Sequence, residues 1–280
     1  MPGIRLYVCC HKKSVVPSHP LLVPVQVGAA LTGERLPGCL PDNRGEHISE
    51  KNRSYCELTA QYWAWKNEDA EYYGFFHYRR YLYPGVGEKH PYRLEGTPTT
   101  ALLEKLGYDD LSKLVAGHDL ILPMGEDMHL SVRAHYAAAP FHHGKDLALA
   151  ETILEELHPE MKEAAEEYLS GTVQYFGNLF VMKRQLFFDY CGWLFPLLEE
   201  FDRRADTTGY SPQERRVDGY LAERLLGVYC THRRKELSVL ELPRVHFEED
   251  PAVLKKKRLL NGLLPPGSKR RSIIKRWKGR

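Results

Sequence analysis

Apolar residues along this chain fall into short unbroken runs that alternate with longer stretches where they recur every third or fourth position. Ile4–Cys9 is a buried-strand pattern that ends at Cys10-His11-Lys12. Pro17 and Pro20 punctuate a loop before a second apolar run, Val23–Leu31, which carries Gln26 and Gly28. The stretch Leu36–Lys51, with Pro37, Gly38, Pro41, Asp42, Asn43 and Gly45, reads as loop. Ser54-x-x-Glu57 has the form of a capping box, and Tyr55, Leu58, Tyr62 and Trp65 then recur at helical spacing to about Asn67.

The aromatic run that follows, Glu71-Tyr-Tyr-Gly-Phe-Phe, is a strand pattern leading into His77-Tyr78-Arg79-Arg80-Tyr81. Tyr83–Thr99 reads as loop, Thr100–Ala116 as a helix stopped by Gly117, and His118–Leu122 as a strand closed by Pro123. Helical spacing returns at Asp146–Leu157 and Pro159–Leu169, and Thr172–Met182 alternates like a strand around Gly177-Asn178. Arg184–Arg203 is a long amphipathic helix, Gln213–Tyr229 another, and Leu237–Leu242 a last strand. Strands alternating with helices, without internal repeats, predict one mixed α/β sheet flanked by helices. Trp63, Trp65 and Trp193 fall on core-facing stripes and need no role beyond packing.

With 280 residues the chain is long enough for one large α/β domain. No stretch approaches the ~18 uninterrupted apolar residues of a membrane span. The N-terminal residues enter a strand at once, without a signal-peptide pattern, so a cytoplasmic location is expected. Six Cys without a CxxC pair fit a reduced protein, with Cys56 and Cys191 as small buried hydrophobes.

Charge divides the chain unevenly. The net is +2, yet residues 251–280 hold eleven Lys/Arg and no Asp/Glu. The other 250 residues carry 28 basic against 37 acidic side chains. The expected organisation is a domain over 1–250 and a basic, amphipathic tail over 251–280. In that tail Lys255–Arg258, Lys269–Arg271 and Lys275–Lys278 flank Leu259-Leu260, Leu263-Leu264 and Ile273-Ile274. Such interleaving suits an anionic membrane surface, at roughly 1 kcal/mol per basic residue near it. Nucleic-acid binding is the competing reading, disfavoured by the acidic body and the lack of any nucleic-acid motif.

Chemistry-bearing motifs are few. HExxH, metal-finger spacings, GxGxxG, GxxxxGK[ST] and GxSxG are all missing from the sequence. What stands out is the cationic cluster His77–Arg80 at the end of a buried strand, where open α/β sheets place their ligands. Guanidinium forks there predict an anionic ligand, phosphate or carboxylate. Pairing with nearby carboxylates is the plainer alternative. Glu223, on the helix from Gln213, reads from helix geometry as a solvent-facing partner of Arg224 or Arg216.

Five segments in order, LLVPVQVGAA (21–30), HISEKNRSYCELTAQYWAW (47–65), YGFFHYRRY (73–81), GNLFVM (177–182) and GYLAERL (219–225), together resemble one family. It is a domain-of-unknown-function family encoded in bacterial capsule, exopolysaccharide and O-antigen loci, whose members are regarded as glycosyltransferases. Galactofuranosyltransferase activity has been associated with it. The resemblance runs from about Ile4 to about Phe247, with His47 where Asn is common. It implies a GT-A-like fold that moves a sugar, best galactofuranose from UDP-galactofuranose, onto a lipid-linked or growing glycan with inversion.

Under that resemblance the strand that usually ends in a metal-holding Asp-x-Asp ends here in His77-Tyr78-Arg79, so fixed cations would replace the divalent ion. Arg79 and Arg80 would neutralise the leaving nucleotide, and no tightly bound cofactor is implied. Asp42 and Glu57 are the carboxylates left for Mg²⁺ should a metal be used. His11, Gln26, Gly28, Asn43, Lys51 and Asn52 would line the base, ribose and diphosphate. Asn178 would face the donor sugar or the acceptor, and Glu223 would be the base. The tail would hold the protein at the inner face of the membrane. A non-catalytic nucleotide- or glycan-binding partner in a polysaccharide assembly complex is the alternative from another class.

Overall fold

The structure is a computed structural model and describes residues 3–265, 268, 270 and 271. Four parallel strands form one half of its main sheet: β1 (Ile4–Cys10), β2 (Leu22–Gln26), β3 (Leu40–Pro41) and β4 (Tyr72–His77), in the spatial order β3-β2-β1-β4. Beyond β4 lies a small wing. In it β5 (Arg80–Leu82) turns back against β4 at the single pair His77 and Arg80, and β6 (Tyr92–Glu95) forms its outer strand. The main sheet continues through β7 (Leu120–Pro123). A separate ribbon is made of β8 (Glu126–Asp127) and β9 (Val173–Gln174). The antiparallel β10 (Phe180–Lys183) sits between β4 and β7, and β11 (Val239–Leu242) pairs parallel to β7. Finally β12 (Arg244–Phe247) joins β5 to β6 and completes the wing.

Both faces of the sheet are covered, which is why β1 and β4 read as continuous apolar runs rather than as alternation. Tyr7, Cys9, Tyr73, Phe75, Phe180 and Met182 point to one face, where they meet the helices Leu58–Asn67, Arg184–Arg204 and Val217–Arg233. Leu6, Val8, Cys10, Tyr72, Phe76 and Val181 point to the other, against the helices Thr100–Lys105 and Tyr108–Ala116 and the wing. Parallel strands under two helical layers leave their carboxyl ends open, and it is there that ligand-binding side chains collect.

Several boundaries differ from the sequence reading. The capping box does not form. Asn52–Tyr55 is a short helix of its own that ends at Cys56 (φ 53, ψ −127), and a second helix starts at Leu58. The Ser54 hydroxyl donates instead to Asp218, and Glu57 accepts from Asn178. Thr100–Ala116 is two helices because Gly107 turns left-handed between them (φ 82). Thr172–Met182 is broken at Gly177-Asn178, both at positive φ, into β9 and β10. The helix Val132–Ala138 and the strand β12 had no clear periodicity to announce them.

The start of the basic tail is ordered. Asp250 caps a helix over Pro251–Leu263 that lies along β6. There the Arg258 guanidinium donates to Leu94 O at 2.9 Å and pairs with Glu95 at 3.0 Å. Val253, Leu259, Leu260 and Leu263 stay exposed on this helix. Lys269 and the tail from residue 272 on, with Ile273-Ile274 and Lys275–Lys278, lie outside the described residues. Among the described residues no helix is long and apolar enough to cross a membrane.

Candidate active site

A cleft of about 750 Å³ opens at the carboxyl ends of β1 and β4. Its floor is set by strand register. His11 follows β1, His77 ends β4, and their rings lie 6.3 Å apart. Tyr78 is buried beneath them, its ring 5.1 Å from His11 and 5.1 Å under the Arg79 guanidinium. Burial, then Arg80, Arg79, His11 and Arg216, push the His77 imidazole down to about 2. His11 is lowered as well, first by burial and then by Lys12, Arg216 and Arg79. His77 is therefore neutral at pH 7 and supplies hydrogen-bonding nitrogens rather than charge.

The charge comes from five arginines. Arg53, Arg79, Arg80, Arg215 and Arg216 all line the cleft. Among the described residues none is ion-paired with a carboxylate. Arg215 donates to Tyr210 O at 3.0 Å, and Arg216 to the Cys56 sulfur at 3.2 Å. The two carboxylates in the lining are Glu57 and Glu223, which leaves three positive charges in excess. Glu223 Oε1 accepts from Gly177 N at 3.0 Å, and its Oε2 from the buried Arg224 at 2.9 Å. Glu57 Oε1 accepts from Asn178 Nδ2 at 2.7 Å.

Of the residues expected at the site, His11, Asn52, His77, Arg79, Arg80 and the expected base Glu223 line the cleft. Gln26, Gly28, Asn43, Lys51, Tyr78 and Asn178 do not, Tyr78 being buried under the two imidazoles. Gln26 is committed to the loop beside it, donating to Glu34 O and accepting from Leu36 N, both at 2.9 Å. Gly28 turns left-handed (φ 68), and its N–H is taken by the Asp42 carboxylate at 2.8 Å. That carboxylate also accepts from Ala29 N, Ser49 Oγ and Thr59 Oγ1, so Asp42 anchors the cleft wall and has no lone pair turned to a metal. Asn43 has its buried Oδ1 unpartnered and borders neither cavity described here. Asn178 is buried behind Glu57, and its Nδ2 also reaches Gly219 O at 3.0 Å. Lys51 borders a second cavity of about 270 Å³, where it pairs with Asp202 at 2.9 Å. Among the described residues no group of three or more His, Cys, Asp or Glu could hold a metal ion.

Sequence reasoning passed over Arg53, Arg215 and, as a ligand contact, Arg216. A signal was present. Arg215-Arg216 directly precede the helix Val217–Arg233, and the N-terminal end of a helix disfavours cations. Two arginines placed against the helix dipole are better explained by an anion they serve than by the helix.

Below the same helix start, Asp218 is fully buried, and burial followed by repulsion from Asp202 pushes its carboxyl up to about 7. The unfolded group has the ordinary value of 3.8, so the stability it contributes is complete below that value. That contribution is lost as pH rises toward 7. Asp218→Asn is expected to melt with wild type at pH 4 and above it at pH 8, by the equivalent of a few kcal/mol. Thermal unfolding at the two pH values measures this, and equal shifts at both would reject it.

Residues 5–235 match the family described as "Domain of unknown function (DUF4422)". The chain belongs to the DUF4422 family. A solved structure of the apo form of WbbM, a bifunctional glycosyltransferase, is similar to it at 31% identity with a TM-score of 0.84. The likeness covers 88% of this DUF4422 chain and 46% of the WbbM chain, so the present chain spans about half the length of that relative. Comparison with curated proteins returns no match. The fold is the GT-A-like mixed sheet flanked by helices that the sequence resemblance implied.

Proposed function

We propose that this DUF4422 protein is a glycosyltransferase that uses a nucleoside diphosphate sugar. The observation that carries the reading is the convergence of five arginines without carboxylate partners on one cleft at the carboxyl ends of the parallel strands. A diphosphate brings about as much negative charge as the cleft has in excess. Guanidinium forks bind its oxygens directly. The acceptor hydroxyl attacks the anomeric carbon while the bond to the diphosphate breaks. Arg79, Arg80 and their neighbours stabilise the charge that develops on the leaving group. A cleft carboxylate, Glu223 or Glu57, receives the hydroxyl proton, and the sugar inverts. Fixed cations at the diphosphate leave a divalent ion unnecessary.

The similarity to a glycosyltransferase supports the reaction class. The resemblance of the motifs supports UDP-galactofuranose as donor and a lipid-linked capsule, O-antigen or exopolysaccharide glycan as acceptor. The helix Pro251–Leu263 suits a peripheral position at the inner face of the membrane. It presents Leu259 and Leu263 to solvent among Lys255, Lys256 and Lys257. Flotation with phosphatidylglycerol vesicles tests this, and binding that survives deletion of residues 251–280 would reject it.

Thermal-shift binding of UDP, GDP, CMP and dTDP, each with EDTA and with Mn²⁺, tests the central reading. Stabilisation by one nucleotide in EDTA is expected. Binding only with Mn²⁺ would keep the transferase and reject the metal-free site. Binding of a nucleotide without turnover of any of its sugars would favour a non-catalytic partner in an assembly complex.

A further inference from the structure

Two carboxylates face the cleft, and their surroundings separate their roles. Glu223 has both oxygens engaged, one by the Gly177 amide and one by Arg224. Arg224 is 1% exposed and lies 5.0 Å from the Tyr136 ring, and among the described residues Glu223 is its one carboxylate partner. A proton on Glu223 would strand that guanidinium as a buried, unpaired charge, a heavy penalty. What Glu223 does hold is the turn at Gly177 (φ 95), whose Cα–H side approaches the Arg80 guanidinium within 3.6 Å of where a side chain would start.

Glu57 is held differently. Its Oε1 accepts from Asn178 Nδ2, its own backbone N–H also favours the carboxylate, and among the described residues no cation is paired with it where it lines the cleft. Asn178 is itself fixed, 2% exposed, in a left-handed conformation (φ 49) and tied to Gly219 O. Cys56 interrupts the helix in a backbone conformation that non-glycine residues rarely adopt, and this is what aims Glu57 out of the helical line. The close approach of Gly219 maintains that geometry, since a Cβ there would meet the Cys56 sulfur at 3.1 Å. Strain retained beside a carboxylate in a ligand cleft is a mark of a working position.

On the glycosyltransferase reading, which it requires, we infer that Glu57 is the general base and Glu223 a positioning residue for Arg80. In the step, the acceptor O–H proton passes to the Glu57 carboxylate as the acceptor oxygen bonds to the anomeric carbon. The anomeric carbon–phosphate oxygen bond breaks, and its electron pair leaves with the nucleoside diphosphate. Burial raises the Glu57 carboxyl above its ordinary value, outweighing the Asn178 bond and Arg216, which makes it a stronger base than a solvated carboxylate.

The test compares full-length wild type, Glu57→Gln and Glu223→Gln. The readouts are UDP thermal shift and nucleotide release from UDP-, GDP- and dTDP-sugars as a function of pH. The glutamine amide oxygen keeps the Asn178 bond and removes a buried charge, so Glu57→Gln should melt at or above wild type and bind UDP as wild type does. Its kcat should fall by about 10²–10⁴-fold, and the acid limb of the wild-type pH profile should vanish. Glu223→Gln strands Arg224 and should melt below wild type, and its folded form should show a raised KM and retain that limb. A Glu57→Gln kcat within a few-fold of wild type, or loss of the acid limb in Glu223→Gln instead, would overturn the assignment. A wild type that neither binds a nucleotide nor releases one from any sugar would sink the transferase reading itself, and the inference with it.

Discussion

On the proposed reading, Arg80→Ala is expected to lower kcat/KM by about 10²–10³-fold, the range for removing one preorganised donor from a developing oxyanion. The expectation rests on its place. Arg80 opens β5 directly after the turn from β4, is half-buried, and has no ion-pair partner among the described residues. Burial, resisted by the fields of Glu223 and Glu57, disfavours its charge. On the proposed reading a diphosphate would reverse that, so part of its binding energy would be the pairing of a half-buried cation. Arg79, one residue earlier but exposed on Tyr78, should lose several-fold less on the same change. Arg80→Lys keeps the charge without the fork and should recover only part of the loss. Steady-state kinetics with UDP titrations decide the matter, and an Arg80→Ala variant with wild-type UDP affinity would remove the diphosphate from this end of the cleft.

Asp42→Ala should cost about 3–5 kcal/mol, a large share of the stability of an ordinary domain. One carboxylate there receives the amides of Gly28 and Ala29 and the hydroxyls of Ser49 and Thr59. Its removal leaves those buried donors without an acceptor, and each unpaired group carries its desolvation penalty. Asp42→Asn should fall between, because its amide nitrogen turns a donor toward another donor. Urea unfolding measures the loss. Activity should fall too, because the segment from Ser49 to Thr59 carries Asn52, Arg53 and Glu57 into the cleft. A loss below about 1 kcal/mol, the worth of a single ordinary hydrogen bond, would mean that these donors find other partners.

The sheet and one side of the cleft were legible in the sequence because a doubly covered strand must be apolar throughout. The run Tyr72–Phe76 therefore stood out, as did the abrupt change to His77–Arg80 at its end. The opposite wall was not legible in the same way. Arg53, Arg215 and Arg216 become neighbours of Arg80 only through the packing of helices far apart in the chain. Gln26 at a strand end looked like a ligand contact, yet a polar side chain there can equally close the next loop, and it does. The spacing Ser54-x-x-Glu57 fitted a capping box because nothing in the residue Cys56 announces a positive φ. That conformation packs against Gly219, far away in the chain, where a Cβ would meet the Cys56 sulfur. The chemistry of Glu57 was hidden for the same reason.

The position of β10 has a consequence for how the protein is made. That strand lies between β4 and β7, although the ribosome delivers it after both. The 60 residues from Pro123 to Lys183 take about 3–12 s to synthesise at about 5–20 residues per second. For that interval the nascent sheet has a gap one strand wide, edged by Phe75 and Ile121, whose backbone groups await Phe180 and Val181. Unpaired apolar edges invite pairing with other chains. Fragments ending before Lys183 are therefore expected to aggregate, and slow translation across residues 124–183 prolongs the most vulnerable moment in the life of the molecule.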